Sequence, residues 1–339
     1  MRVAIDSWPL VSGHRWRGVG SYTRNLLEQL PAAASFVFQE NKEKLKDYDL
    51  LHYPYFDLFF PTLLLKKIAK TVVTIYDVTL LFFPHEFPVG VKGKINFWRQ
   101  KLALRSVAAV ITDSQSSKKD IVKYLAYPED KITVVYLAPG KIFRPVKKDT
   151  QILRKYNLPK DFILYVGDVN YHKNVFRLVQ AVKNLGLTLV IVGKQAKPEK
   201  LIDHPETRAL NTLIKEYGED QGVKRLGFVP EEELVQLYNQ ATLYCQPSLY
   251  EGFGLPVLEA MACSCPVACS RNSSLPEIGG EAAVYFEPGK VKSIAAGIRA
   301  AMNEREKLSQ LGLEQAKKFS WEKTAQETWS VYEKIAGEK

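Results

Sequence analysis

The chain has 339 residues, of which 46% are hydrophobic and 25% charged, and its formal net charge is +10. This balance is typical of a globular protein and excludes collagen, coiled coil and a wholly disordered chain. The length exceeds what one hydrophobic core ordinarily supports, so we expect two domains. No apolar run reaches the roughly 18 residues of a membrane-spanning helix, and Asp6 comes too early for a signal peptide. We therefore expect a cytoplasmic protein.

The net positive charge lies almost entirely in the first half of the chain. Residues 1–150 contain 23 Lys and Arg against 14 Asp and Glu, whereas the remainder contains 24 against 23. A basic half suits a phosphate-bearing partner, an anionic membrane surface or nucleic acid. A basic surface that is merely solvated is the alternative. Nucleic acid is not the expected partner, because no nucleic-acid-binding module is recognisable.

Short apolar or β-branched runs alternate with helix-length segments along the chain. The runs in the first half predict strands at residues 3–5, 36–38, 50–53, 72–76, 108–112 and 132–136. Those in the second half predict strands at residues 162–166, 187–192, 225–229, 243–246, 266–269 and 283–286. Continuous apolar strands separated by helices are typical of parallel sheets covered on both faces. The pattern predicts an α/β protein with two doubly wound, Rossmann-like domains.

The two series of strands are separated by a stretch rich in proline. Pro139-Gly140, Pro145 and Pro159 interrupt the periodicity there. We expect an N-terminal domain over residues 1–150 and a C-terminal domain over residues 151–319. The terminal segment, residues 320–339, contains an amphipathic helix predicted at 321–335, and we expect it to pack back on the N-terminal domain.

Ligands of open parallel sheets bind beyond the carboxyl ends of the strands, so the loops that follow strands are the place to look for a site. The loop at residues 15–21 reads RWRGVGS and precedes a helix predicted at 22–30. Gly18 and Gly20 would let the backbone approach an anion bound at the start of that helix. The GxGxxG spacing of a dinucleotide site is absent, because Thr23 stands in the third glycine position, which argues against a nicotinamide dehydrogenase. A plain tight turn is the alternative for this loop.

A second loop, residues 167–174, reads GDVNYHKN and leads into a helix predicted at 175–184. Gly167 opens the loop, and His172 and Lys173 lie beside the helix start. A cation there opposes the helix dipole, at a cost of roughly 0.3–1 kcal/mol. A bound phosphate would satisfy both the lysine and the helix end, so the loop predicts a phosphate contact. A lysine that simply points into solvent is the alternative.

The third loop is the most specific and reads SLYEGFGLPVLEA over residues 248–260. Pro256 suits the first turn of a helix, and Gly252 and Gly254 permit a tight backbone before it. The amides of residues 253–255 would then face a ligand. Glu259 lies about one turn into the helix, where it can accept both hydroxyls of a sugar diol, and Glu251 lies in the loop. A strand–loop–helix turn with two incidental carboxylates is the alternative.

These residues resemble those of a known enzyme family. Glu251 and Glu259 form an E-x7-E pair that is similar to the donor-binding motif of the retaining glycosyltransferases of family 4 (glycosyl transferases group 1), which have the GT-B fold. The other segments that resemble this family are residues 17–24 (RGVGSYTR), 135–139 (VYLAP), 172–174 (HKN), 266–268 (PVA), 274–278 (SLPEI) and 319–322 (FSWE). The resemblance covers nearly the whole chain and implies two Rossmann-like domains that face each other across a cleft.

The resemblance implies a reaction as well as a fold. A nucleotide-sugar would lie in the cleft, with its diphosphate held by Lys173 and by backbone amides, its ribose hydroxyls by Glu259 and its transferred sugar by Glu251. The donor-binding residues so predicted are Gly18, Gly20, Gly167, His172, Lys173, Glu251, Gly252, Phe253, Gly254, Leu255 and Glu259. Catalysis would retain the anomeric configuration and need no metal, because a lysine and helix dipoles can stabilise the leaving diphosphate.

The resemblance also indicates the classes of donor and acceptor. GDP-mannose is the first donor expected, because the glycine loop and the C-terminal motifs most resemble those of mannosyltransferases, and a UDP-sugar is the next. The acceptor expected is a saccharide or a lipid-linked saccharide in the synthesis of a surface glycan. Neither a metal nor another cofactor is expected.

One position departs from the family pattern. The family usually has a histidine after the fourth strand, in a sequence such as T-x-H-D, but this chain has Tyr76 followed by Asp77. Tyr76 can hydrogen-bond the donor sugar but cannot carry a proton-borne charge near neutral pH as histidine can. Asp77 would contact the acceptor or orient the loop, and both are counted with Glu251 and Lys173 as catalytic candidates. His85 and His14, in loops of the same domain, are substitutes to consider for the missing imidazole. A catalytically weak or inactive nucleotide-sugar-binding protein is the alternative function.

Two further features invite a functional interpretation. Cys263, Cys265 and Cys269 are close in sequence, but no histidine is nearby, so buried small side chains are expected rather than a metal site. Residues 91–105 interleave basic with aromatic and aliphatic side chains, a pattern that suits peripheral contact with an anionic membrane at its inner face. A domain helix with an exposed basic side is the alternative.

Overall fold

The computed structural model describes residues 1–13, 18–31, 34–37, 45, 47–198 and 200–338. They form two compact units. The first comprises residues 1–84, 88–138 and 319–339, and the second comprises residues 85–87 and 139–318.

Each unit is built on a six-stranded parallel sheet. The strands in chain order are β1 (Val3–Asp6), β2 (Ala34–Val37), β3 (Leu50–Tyr53), β4 (Lys70–Thr74), β5 (Ala109–Thr112), β6 (Ile132–Val134), β7 (Ile163–Val166), β8 (Leu189–Val192), β9 (Val223–Gly227), β10 (Leu243–Gln246), β11 (Val267–Ser270) and β12 (Ala283–Phe286). The strand order is β2-β1-β3-β4-β5-β6 in the first unit and β12-β11-β10-β7-β8-β9 in the second.

Helices connect the strands. In chain order they are α1 (Trp8–Val11), α2 (Gly18–Gln29), α3 (Val91–Leu104), α4 (Gln115–Asp120), α5 (Gln151–Lys155), α6 (Val175–Lys183), α7 (Arg208–Tyr217), α8 (Glu231–Gln240), α9 (Leu255–Ala262), α10 (Leu275–Gly279), α11 (Val291–Asn303), α12 (Arg305–Ala316) and α13 (Trp321–Gly337). A π-helical turn over Ile121–Leu125 continues α4.

The apolar strands are buried because helices cover the sheets. Every residue of β1, β3, β8 and β10 is buried, as the continuous apolar runs predict for parallel strands. The predicted α/β class with two doubly wound domains is confirmed. The strand predicted at residues 225–229 lies two residues earlier, at Val223–Gly227, since Gly227 adopts a positive φ of 77° at its end. The strand predicted at residues 36–38 is Ala34–Val37, and residue 38 lies outside the described residues.

The C-terminal helix α13 belongs to the first unit. Its buried face is held by polar contacts as well as by packing. Thr324 Oγ1 donates to the Tyr136 carbonyl at 2.7 Å, and the Tyr332 hydroxyl lies 2.6 Å from His52 Nδ1 on β3. Val331, Tyr332 and Ile335 pack with β1, β3, β4 and β5 residues in one apolar cluster. Burial lowers the pKa of His52 to about 3, so its ring is neutral.

The boundary between the units lies at residues 138 and 139, earlier than the predicted break at 150. The reason is that the proline-rich stretch is hydrogen-bonded to α8 of the second unit. The Val146 amide donates to Asn239 Oδ1 at 3.0 Å, and Gln240 Nε2 donates to the Asp149 carbonyl at 2.8 Å. Proline interrupts regular structure in this segment but does not detach it from the domain that follows.

Candidate active site

The centre of the candidate site is an ion pair between two loops of the second unit. One loop follows β7 and carries Lys173, and the other follows β10 and carries Glu251. The two strands are neighbours in the sheet, so their loops meet at its carboxyl edge. Lys173 Nζ lies 2.9 Å from Glu251 Oε1 and 2.8 Å from Oε2. The structure thus brings together two residues that sequence spacing alone does not relate.

The Glu251 carboxylate is held by further donors. Its Oε1 atom accepts hydrogen bonds from Ser248 Oγ at 2.6 Å and from Gln246 Nε2 at 2.7 Å. Burial raises the pKa of this carboxyl, but the charge of Lys173 and the hydrogen bonds from Lys173 and Ser248 outweigh that effect. The net result is a pKa below the ordinary value, and Glu251 is ionised at neutral pH.

The two carboxylate oxygens of Glu251 are unequally occupied. Oε1 accepts from Lys173, Gln246 and Ser248, whereas the hydrogen bond to Oε2 comes from Lys173. Oε2 therefore keeps acceptor capacity for a ligand hydroxyl. The Lys173 side chain is 22% exposed and that of Glu251 is 9% exposed. The ammonium group, which has three donors, is thus the more accessible member of the pair.

The loop after β7 is shaped by residues with special backbone conformations. Gly167 has a φ of +147°, and a Cβ there would lie 2.9 Å from the Tyr165 hydroxyl oxygen. Asn174, which is buried and left-handed with a φ of 57°, donates to the carbonyls of Pro247 and Pro288, each at 2.8 Å. These bonds tie the Lys173 loop to the loops after β10 and β12 and so fix the position of the lysine.

His172 lies beside the ion pair and is largely removed from water. Its ring packs against Phe87 with the centroids 5.7 Å apart, and its carbonyl accepts from the Leu249 amide at 2.7 Å. Burial, reinforced by the nearby charge of Lys173, lowers the pKa of His172 to about 3. The imidazole is therefore neutral, and Lys173 is the cation that the His172-Lys173 pair supplies.

Helix α9 begins at Leu255 immediately after Gly254, which has a φ of +105°. The backbone conformation at Gly254 favours glycine, and a Cβ there would lie 2.8 Å from Leu275 Cδ2, so that side chain would have to move. The turn that includes Gly252 is held by Ser274, the residue before α10, whose Oγ lies within hydrogen-bonding distance of the carbonyls of Glu251 (3.0 Å) and Phe253 (2.7 Å). Pro256 occupies the first turn of α9, as predicted.

Glu259 lies one turn into α9 and bonds to a neighbouring helix. Tyr238 on α8 donates its hydroxyl to Glu259 Oε2 at 3.0 Å. Burial raises the pKa of Glu259 to about 7, and the hydrogen bond from Tyr238 offsets only part of that rise. The two glutamates of the E-x7-E pair therefore differ in charge at neutral pH, since Glu251 is ionised and Glu259 is near its midpoint.

The remaining predicted site residues belong to the first unit. The Tyr76 hydroxyl donates to the Pro54 carbonyl at 2.7 Å, and its ring meets that of Tyr22 edge to face at 5.4 Å. The hydroxyl proton is thus committed to the protein rather than directed to a sugar. Asp77 Oδ1 accepts from the Thr79 amide at 2.8 Å, at the start of a short 3-10 turn.

The glycine loop and the two candidate substitute histidines are less informative. Gly18 and Gly20 lie in the first turn of α2, and a Cβ at Gly18 would meet nothing within 4 Å. The rest of the loop, residues 14–17, lies outside the described residues, and so does His14. His85 is exposed and belongs to the second unit. Its expected place in the first domain is therefore wrong.

Sequence analysis missed several residues that shape the site. Gln246 and Ser248 hold Glu251, and Tyr238 holds Glu259. A signal was present for Gln246, because an amide at the end of an apolar strand needs a polar partner when buried. Tyr238 gave no such signal, since a tyrosine in an amphipathic helix ordinarily packs through its ring.

The cysteines behave as predicted. Cys245, Cys263, Cys265 and Cys269 are all buried free thiols, and burial raises the pKa of Cys263 to about 12. Within the described ranges, no three His, Cys, Asp or Glu side chains are grouped as metal ligands would be. No helix in the same ranges has the length and apolar character needed to cross a membrane.

Comparison with known proteins agrees with a fold of two α/β units, each with a sheet of parallel strands. Among relatives, O-antigen chain mannosyltransferase B of Escherichia coli is 32% identical over 280 residues, which cover 78% of this chain and 71% of the relative. The serotype-specific mannosyltransferase WbdA of Escherichia coli is 30% identical over 76% of this chain, which spans only 32% of that relative. Among solved structures, HepE of Anabaena in complex with UDP and glucose superposes with a TM-score of 0.75 at 16% identity, covering 98% of each chain.

The likeness to this solved structure shows the fold, which is the GT-B architecture. Residues 148–319 match the family described as glycosyl transferases group 1, and residues 10–138 match glycosyltransferase family 4. The chain belongs to the glycosyl transferases group 1 family. The resemblance noted in the sequence is confirmed.

Proposed function

We propose that this glycosyltransferase moves a hexosyl group, mannose from GDP-mannose in the first instance, to a saccharide or lipid-linked saccharide of a surface glycan. Family membership supports glycosyl transfer, and a relative named as an O-antigen chain mannosyltransferase supports the sugar and the kind of acceptor. A UDP-sugar is the next donor to consider, because HepE, which shares the fold, was solved with UDP and glucose.

The observation that carries the proposal is the ion pair between Lys173 and Glu251 at the E-x7-E segment. A diphosphate would add its negative charge beside a buried carboxylate, which is unfavourable unless a cation lies between them. In this proposal the Lys173 ammonium serves both, with Glu251 on one side and a phosphate oxygen on the other. Glu251 Oε2 then accepts a hydroxyl of the transferred sugar, and Glu259 accepts the ribose hydroxyls.

The proposed transfer needs no reactant besides the nucleotide-sugar and the acceptor hydroxyl. The bond between the anomeric carbon and the diphosphate oxygen breaks, and the acceptor hydroxyl oxygen bonds to the same carbon on the same face. The acceptor proton passes to a phosphate oxygen of the leaving group. The products are the glycoside and the nucleoside diphosphate, with retention of the anomeric configuration. Charge develops on the leaving oxygens, where Lys173 and the α9 amides would stabilise it without a metal.

The test is a turnover assay of the full chain with GDP-mannose, UDP-glucose and UDP-N-acetylglucosamine, each with simple mannoside acceptors. We expect one donor to be consumed, an α-linked product from an α-linked donor by proton NMR, and the same rate in EDTA. Lys173→Ala should lower kcat/KM by roughly 100-fold or more, whereas the exposed Lys160→Ala should leave it unchanged. An inverted product would overturn retention, and loss of activity in EDTA would overturn metal independence.

A catalytically weak nucleotide-sugar-binding protein is the second candidate, and Tyr76 favours it. Its hydroxyl donates to Pro54 and cannot replace a protonated imidazole. This candidate predicts saturable donor binding without turnover in the wild type, and the appearance of turnover in Tyr76→His. Turnover in the wild type that survives Tyr76→Phe would reject it.

A further inference from the structure

The helix α3 displays an apolar stripe to solvent. Val91, Ile95, Trp98 and Leu102 are 76%, 63%, 68% and 55% exposed. Their spacings of four, three and four residues place them along one face of the helix. Large apolar side chains are ordinarily exposed singly, so a continuous exposed stripe over the length of a helix indicates a contact surface.

The stripe is outward-facing because the opposite face of α3 is firmly anchored. Gln100, Ala103 and Leu104 are buried, and Gln100 Nε2 donates to the Asp57 carbonyl at 2.9 Å and to Thr62 Oγ1 at 2.8 Å. A helix whose inner face makes buried polar bonds cannot rotate to bury its outer face. The stripe is therefore a fixed property of the first unit.

Cations border the stripe on both sides. Helical spacing places Lys94, Lys101 and Arg105 along one flank and Lys92 and Arg99 along the other. The segment 91–105 contains no acidic residue. Lys101 Nζ lies 5.5 Å from the centroid of the Trp98 ring in the stripe and donates to the Tyr124 carbonyl at 3.0 Å.

A neighbouring loop helps to anchor α3. Asn96 Nδ2 donates to the Phe59 carbonyl at 2.9 Å, and the Phe59 and Phe97 rings lie 6.0 Å apart. These contacts hold the Phe59 loop against the inner side of α3 and add to its anchoring. We call Val91, Ile95, Trp98, Leu102 and their flanking cations the α3 surface.

We propose that the α3 surface docks on an anionic phospholipid bilayer, with its apolar side chains among the acyl chains and its cations at the headgroup phosphates. Charge complementarity selects this occupant, because five cations without an acid suit a surface of uniform negative charge. A protein partner or a second copy of the chain would ordinarily present both signs of charge. The inference concerns where the enzyme works and stands apart from the transfer reaction.

The experiment is co-sedimentation of the full chain with vesicles of phosphatidylcholine alone and of equal parts phosphatidylcholine and phosphatidylglycerol. We expect binding to the mixed vesicles, little to phosphatidylcholine alone, and a loss of binding in high salt. Ile95→Ser/Trp98→Ser should weaken binding at least tenfold, and so should Lys92→Gln/Lys94→Gln, which leaves the apolar stripe intact. Both variants change exposed side chains, and their thermal midpoints should match that of the wild type.

Matched controls lie in the second unit. Phe228→Ser removes an apolar side chain that is 67% exposed, and Lys160→Gln/Lys292→Gln removes two exposed cations. Both should bind vesicles as the wild type does. The inference fails if the wild type does not sediment with the mixed vesicles or if the α3 variants bind them unchanged. It also fails if light scattering shows a dimer that Ile95→Ser/Trp98→Ser dissociates while no vesicle binding is seen.

Discussion

At the scale of single residues, Glu259 is a carboxyl group whose environment opposes its charge. Burial raises its pKa to about 7, and Tyr238 offsets only part of that rise. The diol of a ribose would add two donors to this carboxyl, and such bonds favour the ionised form. Nucleotide binding should therefore weaken as the pH falls from 8 to 6. Calorimetric titrations across this range check the trend, and Glu259→Gln should abolish it.

The same raised pKa makes a prediction about stability. A raised carboxyl pKa contributes stability below the ordinary value near 4.5, and this contribution is lost as the pH rises through about 7. The side chain at this position in Glu259→Gln does not titrate. The unfolding free energy of the variant minus that of the wild type should therefore increase by about 1–3 kcal/mol from pH 5 to pH 8. Denaturant unfolding at the two values measures the difference. Glu314→Gln, at a side chain 68% exposed, is the matched control for the substitution itself.

The Lys173–Glu251 pair should behave as a coupled unit. Lys173→Met leaves a buried carboxylate with only neutral donors, which should lower the unfolding free energy by about 2–4 kcal/mol at pH 8. The loss should shrink at pH 5, where Glu251 can take up a proton. The double variant Lys173→Met/Glu251→Gln should be more stable than Lys173→Met alone, because no charge is then left unpaired. Equal losses in the single and double variants would contradict the coupling.

The sequence identifies the candidate site residues better than it identifies the groups to which they hydrogen-bond. The E-x7-E pair and Lys173 can be found from loop position and residue type. That Lys173 bonds to Glu251 follows only from the pairing of β7 with β10, which brings together residues 78 apart in the chain. The commitment of Tyr76 to the Pro54 carbonyl has no sequence signal, since it depends on where an unrelated loop passes.

At the scale of elements, the start of α9 depends on glycine at one position. Gly254 has a φ of +105°, and a Cβ would lie 2.8 Å from Leu275. Gly254→Ala should lower the unfolding free energy by about 1–3 kcal/mol and weaken donor binding, because the α9 amides would shift. Gly289→Ala is the matched control, as a Cβ there meets nothing within 4 Å. Equal behaviour of the two variants in denaturant unfolding would contradict this account of the turn.

Strands are the elements that sequence predicts best. All of the predicted strands have counterparts within about two residues, because apolar runs bounded by glycine and proline mark buried parallel strands. The ends are less predictable. The predicted strand over residues 72–76 stops at Thr74, since the chain then turns Tyr76 toward Pro54.

At the scale of the whole molecule, composition and strand pattern suffice to predict two α/β units, but not their boundary. The prolines of residues 139–150 are typical of a linker between domains. Hydrogen bonds from Asn239 and Gln240 nevertheless attach this segment to the second unit. Proline content reports the loss of regular structure, whereas domain membership depends on tertiary contacts. Residues 148–319 match one family model and residues 10–138 match another, so the two matches divide the chain close to the boundary between the units.

The structure shows where part of the surplus positive charge of the first half lies. The first half carries a surplus of nine positive charges, and five of its cations border the exposed stripe of α3. The sequence shows that basic and apolar residues share this segment. Only the burial of Gln100, Ala103 and Leu104 shows which face is turned outward.

Calorimetric titration of a nucleotide-sugar into the wild type and three variants tests most directly whether Lys173 and Glu259 hold the donor. We expect saturable binding of one donor, with the affinity weakened roughly tenfold or more by Glu259→Ala and by Lys173→Ala, and unchanged by Lys160→Ala. Lys173→Ala should weaken binding of the nucleoside diphosphate but not binding of the free nucleoside, whereas Glu259→Ala should weaken binding of both. Failure of the wild type to bind any nucleotide-sugar, or full affinity in both site variants, would contradict it.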